Sequence, residues 1–165
     1  MTTQQKLFSR YLPSMQPGKL IWIGARPERR EPMIELQEGE ALETLGLKGD
    51  RRCNGTPESA RQITLISNEH ISLLCKILNK DEIQPGLLRR NLVTSGINLL
   101  ALRHQKFQIG DAIFEGTAHC HPCSRMEKAL GTGATAAMIG HGGICAKIIK
   151  SGKFKLGDLV IPIIE

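Results

Sequence analysis

Two cysteines and two histidines, His119, Cys120, His121 and Cys123, fall within five residues around Pro122, and no other stretch of the chain crowds such side chains so closely. Thiolates and imidazoles bind transition metals, attack as nucleophiles and exchange protons near neutral pH. Three readings compete for this segment. Cys120-x2-Cys123 is half of a familiar structural zinc site, which His119 or His121 and then His141 or Cys145 would complete, although the chain has no second Cys-x2-Cys. The same pair could act as a redox dithiol, but such motifs sit in a βαβ context that the pattern here lacks. The third reading is plain packing of cysteines as small hydrophobes, which suits Cys75 on an apolar helix face and Cys145 inside a strand better than it suits this cluster. Cys123 stands just before a helix predicted to open at Ser124. Unpaired N–H groups and the positive end of the helix dipole favour a thiolate there, and Arg125 adds to them, so Cys123 is the expected reactive thiol.

Basic residues supply a second set of candidates. Arg89, Arg90 and Asn91 fall in a predicted strand, where alternation sends the two arginines to opposite faces and lets one point into a pocket. Guanidinium groups grip phosphate and other planar oxyanions with two parallel hydrogen bonds. Arg51 and Arg61, after a Gly-Asp turn, could add to the same lining, although any one of these arginines taken alone also fits a solvated surface charge.

The elements that must position these groups read mainly as short strands. Gly and Pro punctuate segments of four to eight residues rich in Ile, Val, Leu and Thr, which predicts strands near Lys19–Ala25, Arg61–Ile66, Leu88–Thr94, Asp111–Ala118, Gly143–Ile149 and Leu159–Ile163. Helical spacing appears over Asn68–Leu78, where Ile71, Leu74, Cys75 and Leu78 recur at i, i+3, i+4 and i+7 behind Ser67 as N-cap. Two further short helices, Ser124–Leu130 and Ala134–Ile139, are separated by Gly131-Thr132-Gly133. Gly49-Asp50, Gly110-Asp111 and Gly157-Asp158 read as turns with positive φ at Gly and an Asp carboxylate holding the following N–H groups. The set fits a mainly β chain with a few short helices, closed or partly closed into a barrel that removes free sheet edges.

Composition is that of one folded unit, residues 1–165. A chain of 165 residues with 41% hydrophobic side chains can bury a full core without disulfides or a structural metal, and it is too apolar for disorder. No apolar stretch approaches the ~20 residues that span a bilayer, and no secretory signal pattern opens the chain, so a cytoplasmic protein without membrane contact is expected. Five cysteines without such a signal argue against a disulfide framework. The net charge of +6 suits a small anionic ligand, whereas 4% aromatic residues leave few platforms for stacking nucleic acid bases.

Taken in order, Gly49-Asp50-Arg51, Arg61–Leu65, Gly86–Asn98, Ile109-Gly110-Asp111, Pro122-Cys123, and Gly142-Gly143 through Gly157-Asp158 resemble the MOSC domain, found at the C-terminus of molybdenum cofactor sulfurases and as small stand-alone bacterial proteins. The resemblance runs over roughly Gly18–Pro162. It implies a MOSC-type β-barrel whose characteristic cysteine falls on Cys123, which would ligate the molybdenum of the molybdopterin cofactor or carry sulfur as a persulfide. Arg89 or Arg90 with Asn91 would then hold the cofactor's pterin or phosphate, Arg51 and Arg125 would add positive charge, and His119 and His121 would supply protons.

The resemblance further implies either a reductase of N-hydroxylated compounds, fed by a separate reductase or ferredoxin, or a persulfide carrier served by a cysteine desulfurase. Pyridoxal phosphate belongs to a different domain of the sulfurases and is not expected here. A zinc-stapled β-domain without catalysis is a third reading. Cys120 departs from the family pattern and would be a metal ligand, a resolving thiol or a packed core residue.

Overall fold

The structure, a computed structural model, describes residues 1–165. Eleven strands run in the order β1 (Gly18–Ala25), β2 (Ile34–Leu36), β3 (Glu38–Leu42), β4 (Gly46–Leu47), β5 (Ile63–Ser67), β6 (Leu92–Ser95), β7 (Lys106–Ile109), β8 (Ala112–His119), β9 (Ile144–Lys150), β10 (Gly152–Lys155) and β11 (Leu159–Pro162). Four α-helices, α1 (Thr3–Tyr11), α2 (Asn68–Ile77), α3 (Arg125–Leu130) and α4 (Ala134–Met138), and several 3-10 turns complete the chain.

Seven strands close a barrel in the order β1-β11-β7-β8-β9-β5-β6, with β6 returning to β1. Closure leaves these strands little free edge. β5 and β6 pair in parallel and the other barrel pairs are antiparallel. A parallel pair cannot be joined by a hairpin, so α2 occupies the connection between them. β2 extends the sheet from β1, and β3, β4 and β10 form a separate three-stranded sheet.

Side-chain alternation divides the core in two. Leu20, Ile23, Leu65, Leu92, Phe107, Phe114 and Val160 pack inside the barrel, where Phe107 and Phe114 stack with centroids 5.5 Å apart. β5 and β6 are buried on both faces. Ile66 and Val93 turn outward from the barrel against Ile71 and Leu74 of α2, Met126 and Leu130 of α3, and Met138 of α4. That second cluster presses the short helices onto the barrel wall and thereby fixes the segment carrying Cys123. The Ser67 hydroxyl accepts the His70 N–H at 3.1 Å and caps α2.

Most expected strands are present with ends shifted by one or two residues, but the strand expected over Leu88–Thr94 is not continuous. Pro85–Leu88 form a 3-10 turn, Arg89 takes a left-handed conformation at φ 58°, and β6 begins only at Leu92. Arg89, Arg90 and Asn91 are therefore loop residues, and strand alternation does not decide where they point. The three Gly-Asp turns do have positive φ at Gly49, Gly110 and Gly157. Only Asp50 uses its carboxylate on a following N–H, that of Arg52 at 2.8 Å; Asp158 reaches back to the Lys155 N–H instead.

Gly143 is one position where glycine is required. Its φ is 89°, and a Cβ there would lie 1.9 Å from the Leu65 carbonyl oxygen. This close approach brings the start of β9 beside β5 and places the Gly143 carbonyl to accept the Cys120 N–H at 2.8 Å.

Candidate functional site

Loops flanking β1, β5, β6 and β8 converge on a pocket of about 410 Å³. Arg26, Arg29, Arg51, Arg61, Arg89, Arg90 and Arg125 line it together with His121, Cys123, Ser124 and Met126, and no carboxylate is among them. Seven cations around one pocket repel each other unless an anion lies between them. Burial and the charges of Arg26 and Arg125 lower the Arg89 pKa from its usual value.

The pocket rests on one buried carboxylate. Asp50 accepts the Arg26 N–H at 2.9 Å, Arg26 Nε and Nη2 both at 3.1 Å, the Arg52 N–H at 2.8 Å and Asn91 Nδ2 at 2.8 Å. Burial alone would raise its pKa, but the hydrogen bonds and charge of Arg26 and the Arg52 N–H outweigh that and hold it below the usual carboxylate range. Asn91 is occupied by protein on both ends of its amide. Its Nδ2 donates to the Gly24 carbonyl and to Asp50, while its Oδ1 accepts the Thr64 N–H and lies 3.2 Å from the Thr64 hydroxyl. It ties β1, β5 and the Gly49-Asp50 turn into one floor.

Arg90 is likewise committed. It is 4% exposed, and its Nε, Nη1 and Nη2 donate to the carbonyls of Gly142, Leu88 and Cys120 at 2.8, 3.0 and 3.3 Å. These bonds hold the beginning of the loop that carries Cys123 against β9. Gly142 leaves room for the contact, since a Cβ there would lie 3.3 Å from Arg90 Nη2 and 2.4 Å from the Cys120 carbonyl. Arg51, Arg61 and Arg125 are exposed to solvent at the pocket, and Arg89 is half-buried, with Nη1 donating to the Glu31 carbonyl.

The two thiols of the Cys-x2-Cys pair part company. Cys123 is exposed in the pocket wall, whereas Cys120 is 2% exposed and turned inward beside Cys145. The Cys145 thiol donates a hydrogen bond to Cys120 and lowers its pKa against burial, helped by Arg90, while Cys145 is raised in return. No three His, Cys, Asp or Glu side chains gather as a metal-holding group, so the zinc set drawn from His119, Cys120, His121, Cys123, His141 and Cys145 does not assemble. The physical reason is that the Cys120 N–H bond to the Gly143 carbonyl continues the β8–β9 pairing and holds Cys120 inside, while Cys123 lies further along the loop at the surface.

His121 lines the pocket, and His119 stacks on it with centroids 6.0 Å apart. Arg103 Nη1 donates to His119 Nε2 at 2.9 Å, since a guanidinium has no acceptor to offer. Burial, Arg103 and His121 all lower the His119 pKa from its usual value.

Of the residues expected at the site from sequence, Arg51, Arg61, Arg89, Arg90, Asn91, His121, Cys123 and Arg125 fall in or beneath this pocket, His119 stands behind His121, and Cys120 is turned away into the core. Arg26, Arg29 and Met126 were not singled out from sequence. A buried Asp in a Gly-Asp turn needs a cation, and that was the available signal for Arg26. Met126 carried none, because its spacing is that of an ordinary core residue.

Comparison with known proteins agrees with this architecture. The YuaD protein from Bacillus subtilis superposes with a TM-score of 0.75 at 16% identity, over 88% of this chain and 95% of that one. YiiM from Escherichia coli gives 0.68 at 17% identity, over 88% and 69%, and YiiM from Geobacillus stearothermophilus gives 0.71 at 13%, over 89% and 75%. At these identities the likeness is one of fold. A search of curated proteins finds no match to the sequence. No helix is long and apolar enough to cross a membrane. The sequence profile of the MOSC domain matches residues 50–161, about two thirds of the chain and the stretch from Asp50 through β11 that builds most of the pocket. The chain belongs to the MOSC domain family, which is associated with binding of the molybdenum cofactor.

Proposed function

We propose that this protein binds the molybdenum cofactor in the arginine pocket through Cys123 and reduces N-hydroxylated compounds with electrons from a separate reductase or ferredoxin. The observation that carries the reading is an exposed thiol in the wall of a pocket with seven arginines and no lining carboxylate. The donor set suits the group. A thiolate is a soft ligand of the kind molybdenum accepts, and Arg51, Arg61, Arg89 and Arg125 present guanidinium forks to a phosphate. Bound there, the cofactor supplies the two-electron chemistry at the metal. Replacing N–OH by N–H consumes two electrons and two protons and releases water. His121 at the pocket and His119 behind it are the groups of this chain that can deliver those protons. Asn91 and Arg90 act through position, the first by bracing Asp50 and Arg26, the second by holding the Cys120 end of the loop.

The test is metal content by mass spectrometry after reconstitution with molybdenum cofactor, comparing wild type with Cys123→Ala. Near-stoichiometric molybdenum that is lost in the variant supports the reading. Molybdenum in neither protein, with a persulfide on Cys123 after incubation with a cysteine desulfurase, replaces it by the sulfur-carrier reading, which the exposure of this one thiol also suits.

A further inference from the structure

Next to the arginine pocket lies a second cleft of about 460 Å³ with a different lining. Its walls are the segment Arg30–Met33, the 3-10 turn carrying Gly86 and Leu87, and the face of α3 carrying Arg125, Met126 and Ala129. Arg89, Arg125 and Met126 belong to both cavities, so the two adjoin across these side chains. Whereas the first cavity is almost wholly cationic, the second offers Pro32, Met33, Leu87, Met126 and Ala129.

We propose that this second cleft is a binding compartment for a flat, uncharged or anionic aromatic molecule, one edge of which faces the arginine pocket across Arg89 and Arg125. The proposal rests on the reductase reading for its purpose, as the place where the body of the substrate sits while its reducible end enters the arginine pocket. The cleft falls in the size range of small-molecule sites. Methionine thioethers adapt to ring edges, and guanidinium planes stack on aromatic faces. Arg89 is held at the boundary by its bond to the Glu31 carbonyl, which leaves its flat group partly desolvated between the two cavities. Arg30, Arg89 and Arg125 against Glu31 leave the lining net positive, which disfavours a cation of the same shape.

The molecule carries its own reporter. Trp22, the single tryptophan, lies under this wall: its Cζ2 is 4.0 Å, and Met33 Cβ 3.8 Å, from the position a Cβ on Gly86 would take. Titrating the cofactor-free protein at pH 7.5 while following Trp22 fluorescence compares benzamidoxime, benzoate and benzamidine, which share one ring and are neutral, anionic and cationic. Saturable changes with the first two, and affinity at least tenfold weaker for benzamidine, are expected. Ala129→Phe fills the cleft from an exposed helix position outside the arginine pocket and should weaken benzamidoxime binding at least tenfold, while molybdenum uptake on reconstitution stays at the wild-type level. Cys123→Ala should do the reverse. No saturable signal, equal affinity for benzamidine, or an Ala129→Phe affinity within twofold of wild type would overturn the proposal. Wild-type protein that takes up no molybdenum yet shows this binding pattern would remove the reductase reading and leave the compartment standing.

Discussion

Replacing Asp50 by Asn tests whether one carboxylate holds the arginine pocket together. The substitution keeps the shape of the side chain and removes its charge. In the wild type one oxygen accepts three N–H groups and the other accepts two, all between 2.8 and 3.1 Å. An asparagine amide turned either way sets its NH2 against at least two of those donors, so at least two bonds to a charged acceptor are lost. At about 1.5–3 kcal/mol for each such bond the loss is about 3–6 kcal/mol, in line with about 3–5 kcal/mol for breaking a buried ion pair. Arg26 is also left without its partner among six other arginines. Urea denaturation at pH 7 should show a loss of about 4 kcal/mol, and the thermal midpoint should fall by about 8–16 °C for a chain of this size. The pH dependence is a second readout. The folded pKa of Asp50 lies below the unfolded value of about 3.9, so its contribution is present above that pH and is lost as pH falls through the folded value. The gap between wild type and variant should stay flat from pH 7 to 5 and narrow below 4. A loss under about 1 kcal/mol at pH 7, or a gap that widens in acid, would refute the reasoning.

Three further outcomes follow from the same geometry. Gly143→Ala should cost more than about 3 kcal/mol, read as loss of soluble protein or a collapsed melting temperature, because both its φ of 89° and the Leu65 carbonyl resist a Cβ. Brief treatment of the native protein with iodoacetamide should modify Cys123 first by peptide mass spectrometry, with Cys120 and Cys145, at 2% and 6% exposure, modified only after unfolding. Pyrophosphate should raise the melting temperature, by the equivalent of about 2.7 kcal/mol at one hundred times its Kd. The effect should vanish in an Arg51→Gln, Arg61→Gln, Arg125→Gln triple variant, whose three positions are exposed.

Most of the barrel strands and α2 were legible in the sequence because their signals are local, whereas β7, the four residues Lys106–Ile109, was not expected. Runs rich in Ile, Val, Leu and Thr mark β5, β9 and β11, and Ser67 with its apolar spacing announces α2. β3 and β10 were not, since Glu38–Leu42 and Gly152–Lys155 are polar, glycine-bearing segments that become strands by pairing across more than a hundred residues. Arg89 misled in a different way. The apolar pairs Leu87-Leu88 and Leu92-Val93 on either side imitate one strand, and nothing in side-chain type announces a left-handed residue between them. Cys123 stood out through its neighbours Pro122 and Ser124. The roles of Asn91 and Arg90 as braces could not be read, because each is defined by partners 27 to 67 residues away.

The seam between β1 and β11, where Gly18 pairs with Val160 and Lys19 with Leu159, joins strands about 140 residues apart. Closing a loop of that length costs about 4 kcal/mol of chain entropy before any contact repays it. Topologies dominated by such distant pairings fold on a scale of milliseconds to seconds. During synthesis β11 emerges after every pocket residue has already left the ribosome, so a chain still lacking β11 carries all seven arginines and Cys123 on an unsealed sheet. The time at which the barrel zips shut therefore sets the earliest moment at which the anion site exists, and its maturation with any ligand follows the docking of β11 onto β1.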